Sequence, residues 1–226
     1  MFELKDIKLR RSSWIKAAGI PKKLQGWEYS DCKSVDPKFL TTLSDWEAMV
    51  QEGKIINAIG QRSCGRGVAL YGEPGNGKTT LVATMIQNMM RTSSLDIFAL
   101  NDVRPCYFIT YAGLLDLKGE MMSDEIEESR ATLYAGIMGE CLDENRNVKV
   151  LVIDDVGREH GSSSGWNKNM LHHVLRSRFN QGLPTIVTSN IPLGKWKDFY
   201  GDATASFAHE AFVNIDLQSI KGDLRR

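Results

Sequence analysis

No apolar run in this 226-residue chain approaches the ~20 residues that a bilayer-spanning helix needs, so no membrane association is expected. The opening "MFELKDIKLRR" has no apolar signal core, and the chain is expected to stay in the cytoplasm where it is made. Cysteine is scarce and scattered. Cys32, Cys64, Cys106 and Cys141 form no C-x-x-C pair, which argues against a zinc ribbon or a disulfide framework and suits a reducing cytosol. All four read as small buried or half-buried side chains. There is no internal repeat, no low-complexity tract and no excess of one charge, since 28 Lys and Arg balance 28 Asp and Glu. A sequence-reading duplex binder usually carries a larger basic excess.

An apolar content of 42% and a charged content of 25% suit one large α/β core. The charge is unevenly spread. Residues 1–23 hold Lys5, Lys8, Arg10, Arg11, Lys16, Lys22 and Lys23 against only Glu3 and Asp6. Such an arm has two readings: a contact for nucleic acid or an acidic partner, or a solvated end. Trp14 and Trp27 within it either stack on bases or pin the arm to the core. Residues 1–50 are taken as this basic arm with a leading helix, and 51–226 as the core.

Residues 1–35 read as irregular, punctuated by Gly19, Pro21 and Gly26. Apolar residues at helical spacing from Pro37 to about Ile59 predict a helix. "GVALY" (67–71), "CYFITY" (106–111), "VKVLVID" (148–154), "TIVTSN" (185–190) and "AFVNIDL" (211–217) read as strands. Helices are expected after 78, within 112–143, and from Trp166 through Phe179, with serines 162–164 as N-caps. The stretch 92–105 is either a long loop or a small extra element. Strands that are almost wholly apolar and alternate with helices imply a parallel sheet covered on both faces.

Between the first strand and the following helix lies "GEPGNGKTT". Gly72, Glu73, Pro74, Gly75, Asn76, Gly77, Lys78 and Thr79 fit G-x-x-x-x-G-K-[ST] at every fixed position, and Thr80 follows. Glycines let backbone N–H groups curl around phosphate oxygens, and the next helix points its positive end at the same anion. Lys78 adds a full charge at the β- and γ-phosphates, and the Thr79 hydroxyl is a Mg²⁺ ligand. The cofactors expected are therefore ATP and Mg²⁺.

"VLVIDDVG" ends a buried strand with two carboxylates. Burying them without a partner is costly, whereas beside Mg²⁺ Asp154 can hold the metal and Asp155 can orient an attacking water. "TIVTSN" ends in Asn190, whose amide either bonds that water or the γ-phosphate, or caps a turn. Ligands sit outside the carboxyl ends of parallel strands, which favours the former. His172 and His173 have no metal-ligand company and read as structural or surface residues.

With these three pieces the chain resembles the AAA+ ATPases of the DnaC-like helicase-loader group, which includes the IstB-type transposition helpers. The resemblance runs from Ile20-Pro21 through the P-loop, Asp154-Asp155-Val156-Gly157, Trp166, Arg178, Thr188-Ser189-Asn190 and the closing "KGDLR". It implies a five-stranded parallel P-loop NTPase sheet with helices on both faces and no separate C-terminal lid domain. It also implies ATP at the protomer interface of an oligomer that grips single-stranded DNA and a replicative helicase. Lys118 would then face DNA or solvent.

One departure stands out. The group places an arginine finger on the helix after the "TSN" strand, and the matching stretch here reads Ser206-Phe207-Ala208-His209-Glu210. Phenylalanine stands where the arginine belongs. Arg178 is taken as its substitute, ahead of Arg158, Arg176 and Arg225. Without a finger, fast oligomer-driven hydrolysis is in question. A helicase loader, a transposition helper on duplex DNA, and a nucleotide-gated binding module with little turnover remain open. A small-molecule kinase is disfavoured, because no arginine-rich lid sequence is present.

Overall fold

The computed structural model describes residues 4–32, 35–92, 98, 103–123, 125–157 and 166–217. Five strands, β1 (Gly67–Tyr71), β2 (Cys106–Thr110), β3 (Val150–Val156), β4 (Thr185–Ser189) and β5 (Phe212–Asp216), form one sheet in the order β2-β3-β4-β1-β5. Every neighbouring pair is parallel. Parallel pairing forces each connection across a face of the sheet, and helices make those crossings.

The period of two along each strand decides which helices meet which residues. Val68 and Leu70 share one buried cluster with α1 (Leu4–Ala17), α2 (Pro37–Gln51) and α3 (Lys78–Thr92). Ala69 between them joins the opposite cluster, with α4 (Tyr111–Glu120), α5 (Glu128–Met138), α6 (Trp166–Asn180) and α7 (Trp196–Ala211). Val152 and Ile153 divide between the two clusters in the same way. Leu81, Val82, Met85, Ile86, Met89 and Met90 of α3 are all buried, because α1 and the segment after it cover the side of α3 turned away from the sheet.

Two expectations fail at the N-terminal end. Residues 1–35 are not irregular throughout, since 4–17 form α1. Gly19, Pro21 and Gly26 all lie beyond its last residue, so they punctuate the segment after the helix and leave the helix itself intact. Tertiary packing supports α1, with Trp14 fully buried and edge-on to Phe98 at 6.4 Å. That is the pinning role for Trp14, whereas Trp27 is partly exposed. The second difference is that α2 stops at Gln51 instead of Ile59. Gly53 and Lys54 donate back to Val50 and Met49 in a closing turn, and Ile55 and Ile56 are buried beyond it.

The N-terminal end of α2 is capped by Asp36, which accepts from Lys38 N at 2.9 Å, with Pro37 as its first residue. The helix α7 is broken at Gly201, whose φ of 81° is not helical. The four cysteines are free, Cys32 and Cys106 buried, Cys64 and Cys141 half-buried. Among the described residues no helix is long and apolar enough to cross a membrane. Serines 162–164, most of 92–105 and the closing "KGDLR" lie outside the described residues.

Candidate nucleotide-binding site

The site is built where strand ends meet a helix start. The β1 strand stops at Tyr71, the loop 72–77 turns over, and α3 begins at Lys78. Gly75 and Gly77 have φ of 94° and 73°, a left-handed backbone that a side chain would strain. Leu81 N donates to Gly77 O at 2.8 Å, so the helix starts immediately behind the loop. The first N–H groups of a helix have no partner within it, and a glycine loop running into a helix start is an anion-binding arrangement.

Lys78 is almost fully buried, and its ammonium donates to the carbonyls of Gly72 at 2.7 Å and Glu73 at 2.9 Å. The charge is thereby held inside the loop. The Asn76 amide donates to Leu217 O at 2.9 Å, tying the loop to the chain just past β5. Gly72 N donates to Ser189 O at 3.3 Å, tying it to β4 on the other side. Gly72, Glu73 and Asn76 thus shape the loop from behind. Pro74, Gly75, Gly77, Lys78, Thr79 and Thr80 line a cavity of about 530 Å³.

Across that cavity stand Asp154, Asp155 and Asn190. The Thr79 hydroxyl lies 3.1 Å from both carboxylate oxygens of Asp154, although the two residues are far apart in sequence. Asp154 is only 2% exposed, and burial raises its pKa, opposed by the hydrogen bonds from Thr188 and Thr79 and by the charge of Lys78. A buried carboxylate met by neutral hydroxyls is incompletely compensated, which is the environment a cation relieves.

Asp155 is a site feature that sequence reasoning missed in its backbone. It has φ of 60°, and the β3–β4 register shifts between Ile153 and Val156. This bulge re-aims the second aspartate. Its N–H donates to Thr188 Oγ1 at 3.0 Å instead of to the strand ladder. Thr188 was visible only as part of "TSN". Thr110 at the end of β2 and Pro21, Lys23, Leu24 and Phe108 also line the cavity, contributed by the N-terminal segment and the sheet edge.

Arg178 is not at the site. It is fully buried, and burial depresses its pKa to about 9. Its guanidinium donates to Ile137 O at 2.6 Å, Val148 O at 2.9 Å, Pro184 O at 3.1 Å and Thr185 Oγ1 at 3.1 Å. A side chain held by these acceptors joins α5, α6 and the entries to β3 and β4, and it cannot reach a phosphate on a neighbouring protomer. The finger assignment to Arg178 is therefore corrected: this arginine is a structural clasp.

The other candidates fare differently. Phe207 is buried, 5.3 Å from Phe179, with the Arg176 guanidinium 4.5 Å above its ring. Arg158 and Arg225 lie outside the described residues. Lys118 rests over the Tyr134 ring at 5.0 Å. His172 Nδ1 meets Thr204 Oγ1 at 3.2 Å, and among the described residues no group of three His, Cys, Asp or Glu side chains could hold a metal.

A parallel sheet in this strand order, with a phosphate loop after β1 and paired acids ending β3, defines a P-loop NTPase of the AAA+ type. The model of the IstB-like ATP-binding protein family matches residues 5–210, and the chain belongs to that family. The DnaC helicase loader structure superposes with a TM-score of 0.58 at 19% identity, covering 87% of this chain and 99% of that one. The DnaI structure gives 0.56 at 18% identity, covering 87% and 93%. At such identities the likeness is one of fold. The protein YqaM of Bacillus subtilis (strain 168) is 27% identical over 159 residues, which is 69% of this chain and 43% of that protein.

Proposed function

We propose that the protein is a Mg²⁺-dependent ATPase acting as a helicase loader, which binds single-stranded DNA and a replicative helicase. It works as a self-assembled oligomer with ATP at the protomer interface. The observation that carries the enzymatic half is the 3.1 Å approach of the Thr79 hydroxyl to both oxygens of Asp154. One hydroxyl and one buried carboxylate are a sufficient protein contribution for Mg²⁺, which keeps waters and takes its other ligands from phosphates. When bound there, the ion neutralises charge on the β- and γ-phosphates.

The chain's own groups divide the remaining work. The loop N–H groups and Lys78 hold the phosphates. Asn190 orients a water, and Asp155 accepts its proton as the water oxygen bonds to the γ-phosphorus. The bond from phosphorus to the bridging oxygen breaks, its electron pair stays on ADP, and the proton passes to the released phosphate.

The fold likeness to the DnaC helicase loader over nearly that whole chain supports the loading half. The test is phosphate release with single-stranded or duplex DNA, alongside capture of a host-encoded or self-encoded replicative helicase with and without ATP. Release stimulated by single strands, together with helicase capture, is the expected result. ATP-dependent filaments on duplex DNA without helicase capture would replace this reading with a transposition helper. Tight ATP binding with negligible release throughout would leave a nucleotide-gated module.

A further inference from the structure

We propose that Lys23 reaches the terminal phosphate of the bound nucleotide from within the same chain, supplying a charge that Phe207 and Arg178 do not. The inference rests on the ATP-binding reading above. Both of those residues are buried in the core, so neither the finger position nor its first substitute offers a cation to the phosphates. Lys23 lines the same cavity as Lys78, Asp154, Asp155 and Asn190.

Its direction of approach follows from strand order. The β2 strand lies beyond β3, on the far side of Asp154 from the P-loop strand β1. Lys23 shares that wall with Phe108 and Thr110 of β2. A triphosphate held by the loop would carry its terminal group toward Thr79 and Asp154, which line the same cavity as Lys23, Phe108 and Thr110. Lys78 therefore meets the phosphates from the loop, and Lys23 meets the terminal one from the β2 side.

The backbone that carries Lys23 is fixed on both sides. Phe108 N donates to Ala18 O at 2.7 Å. Gly19 follows with φ of 70°, and a Cβ there would sit 2.4 Å from Phe108 O, so only glycine permits this approach. The Gln25 amide donates to Ile20 O at 2.9 Å. On the other side, fully buried Gln87 of α3 donates to Leu24 O at 2.9 Å and accepts from Gly26 N at 2.8 Å. Lys23 itself is exposed, its ammonium carried on an anchored base. Such an ammonium loses little by turning to a phosphate, and the charge-assisted contact is favourable.

The test measures affinity for ADP and for a non-hydrolysable ATP analogue in wild type, Lys23→Ala, Lys23→Arg and Lys22→Ala, with phosphate release alongside. Lys22 is an exposed neighbour that controls for the loss of one positive charge. Lys23→Ala should weaken the analogue about tenfold while ADP stays within about twofold. Release should fall about a hundredfold. Lys23→Arg should retain the preference for the analogue, and Lys22→Ala should match wild type. Unchanged analogue affinity in Lys23→Ala, or an equal loss for both nucleotides, overturns the proposal. Wild type binding neither nucleotide overturns the ATP reading itself, a result separable from failure of Lys23 alone.

Discussion

The hydroxyl of Thr188 stands 2.5 Å from Asp154 Oδ1 and 3.0 Å from the backbone nitrogen of Asp155. It donates to the first aspartate and accepts from the second, so one side chain on β4 sets both acids at the end of β3. The contact spans the register shift that separates the two strands at this point. Position and orientation of the pair thus depend on a residue of the neighbouring strand.

Removing that hydroxyl should disturb both acids together. In Thr188→Val the shape is kept, but Asp154 loses a donor and the Asp155 N–H loses its acceptor. Losing hydrogen bonds at a buried site of this kind costs about 1–3 kcal/mol. Urea unfolding should show a lowered midpoint with unchanged slope, and phosphate release should drop. A variant as stable and active as wild type would mean that Thr188 positions nothing.

For the phosphate-facing cation, Lys78→Ala should abolish nucleotide binding, because it removes the charge held inside the loop. Equilibrium titration with a fluorescent ATP analogue reads this directly. An affinity equal to wild type contradicts the assignment of the loop.

Asp155→Asn keeps the size of the side chain and removes its ability to take a proton. ATP binding should persist while phosphate release falls about a hundredfold or more. Equal turnover would take Asp155 out of the water-activating role.

Arg178→Met should destabilise the fold by about 3 kcal/mol or more, since several buried carbonyls lose their donor at once. A finger would behave otherwise: the variant would fold normally, and added wild-type protomers would restore hydrolysis by pairing with it. Denaturant unfolding together with subunit mixing separates the two.

Glu47 gives the stability of the N-terminal half a pH dependence. It is 4% exposed, accepts from the Tyr29 hydroxyl and from Asn88 Nδ2 at 2.8 Å, and burial raises its pKa to about 7 from 4.5. A carboxyl that holds its proton more tightly when folded adds stability below the unfolded value. That contribution declines as pH rises from about 4.5 to about 7, by roughly 3 kcal/mol in total. Glu47→Gln, with the Asn88 amide turned to accept, should flatten this decline. Unfolding free energies measured across that interval would show it, and an unchanged pH slope would place the titration elsewhere.

Which parts were legible depends on how locally each is encoded. "GVALY" and "VLVI" are continuous apolar runs because both faces of their strands are buried, and that pattern is visible without coordinates. The P-loop is legible for a similar reason, since its glycine spacing and its lysine are consecutive in the chain. The helix α1 was not, because it carries little apolar periodicity and is held through Trp14 and its contact with α3. Arg178 misled because an arginine near a helix end looks the same whether it faces solvent or a ring of carbonyls.

The sequence by itself determined the class of sheet, the phosphate loop and the identity of the two acids, all carried by residues adjacent in the chain. Only the tertiary structure decided that Thr188 sets those acids, that Arg178 is a clasp, and that Lys23 stands on the cavity wall. Each of these depends on strand order and on burial. Both arise when distant segments pack together, and neither leaves a local spacing to read.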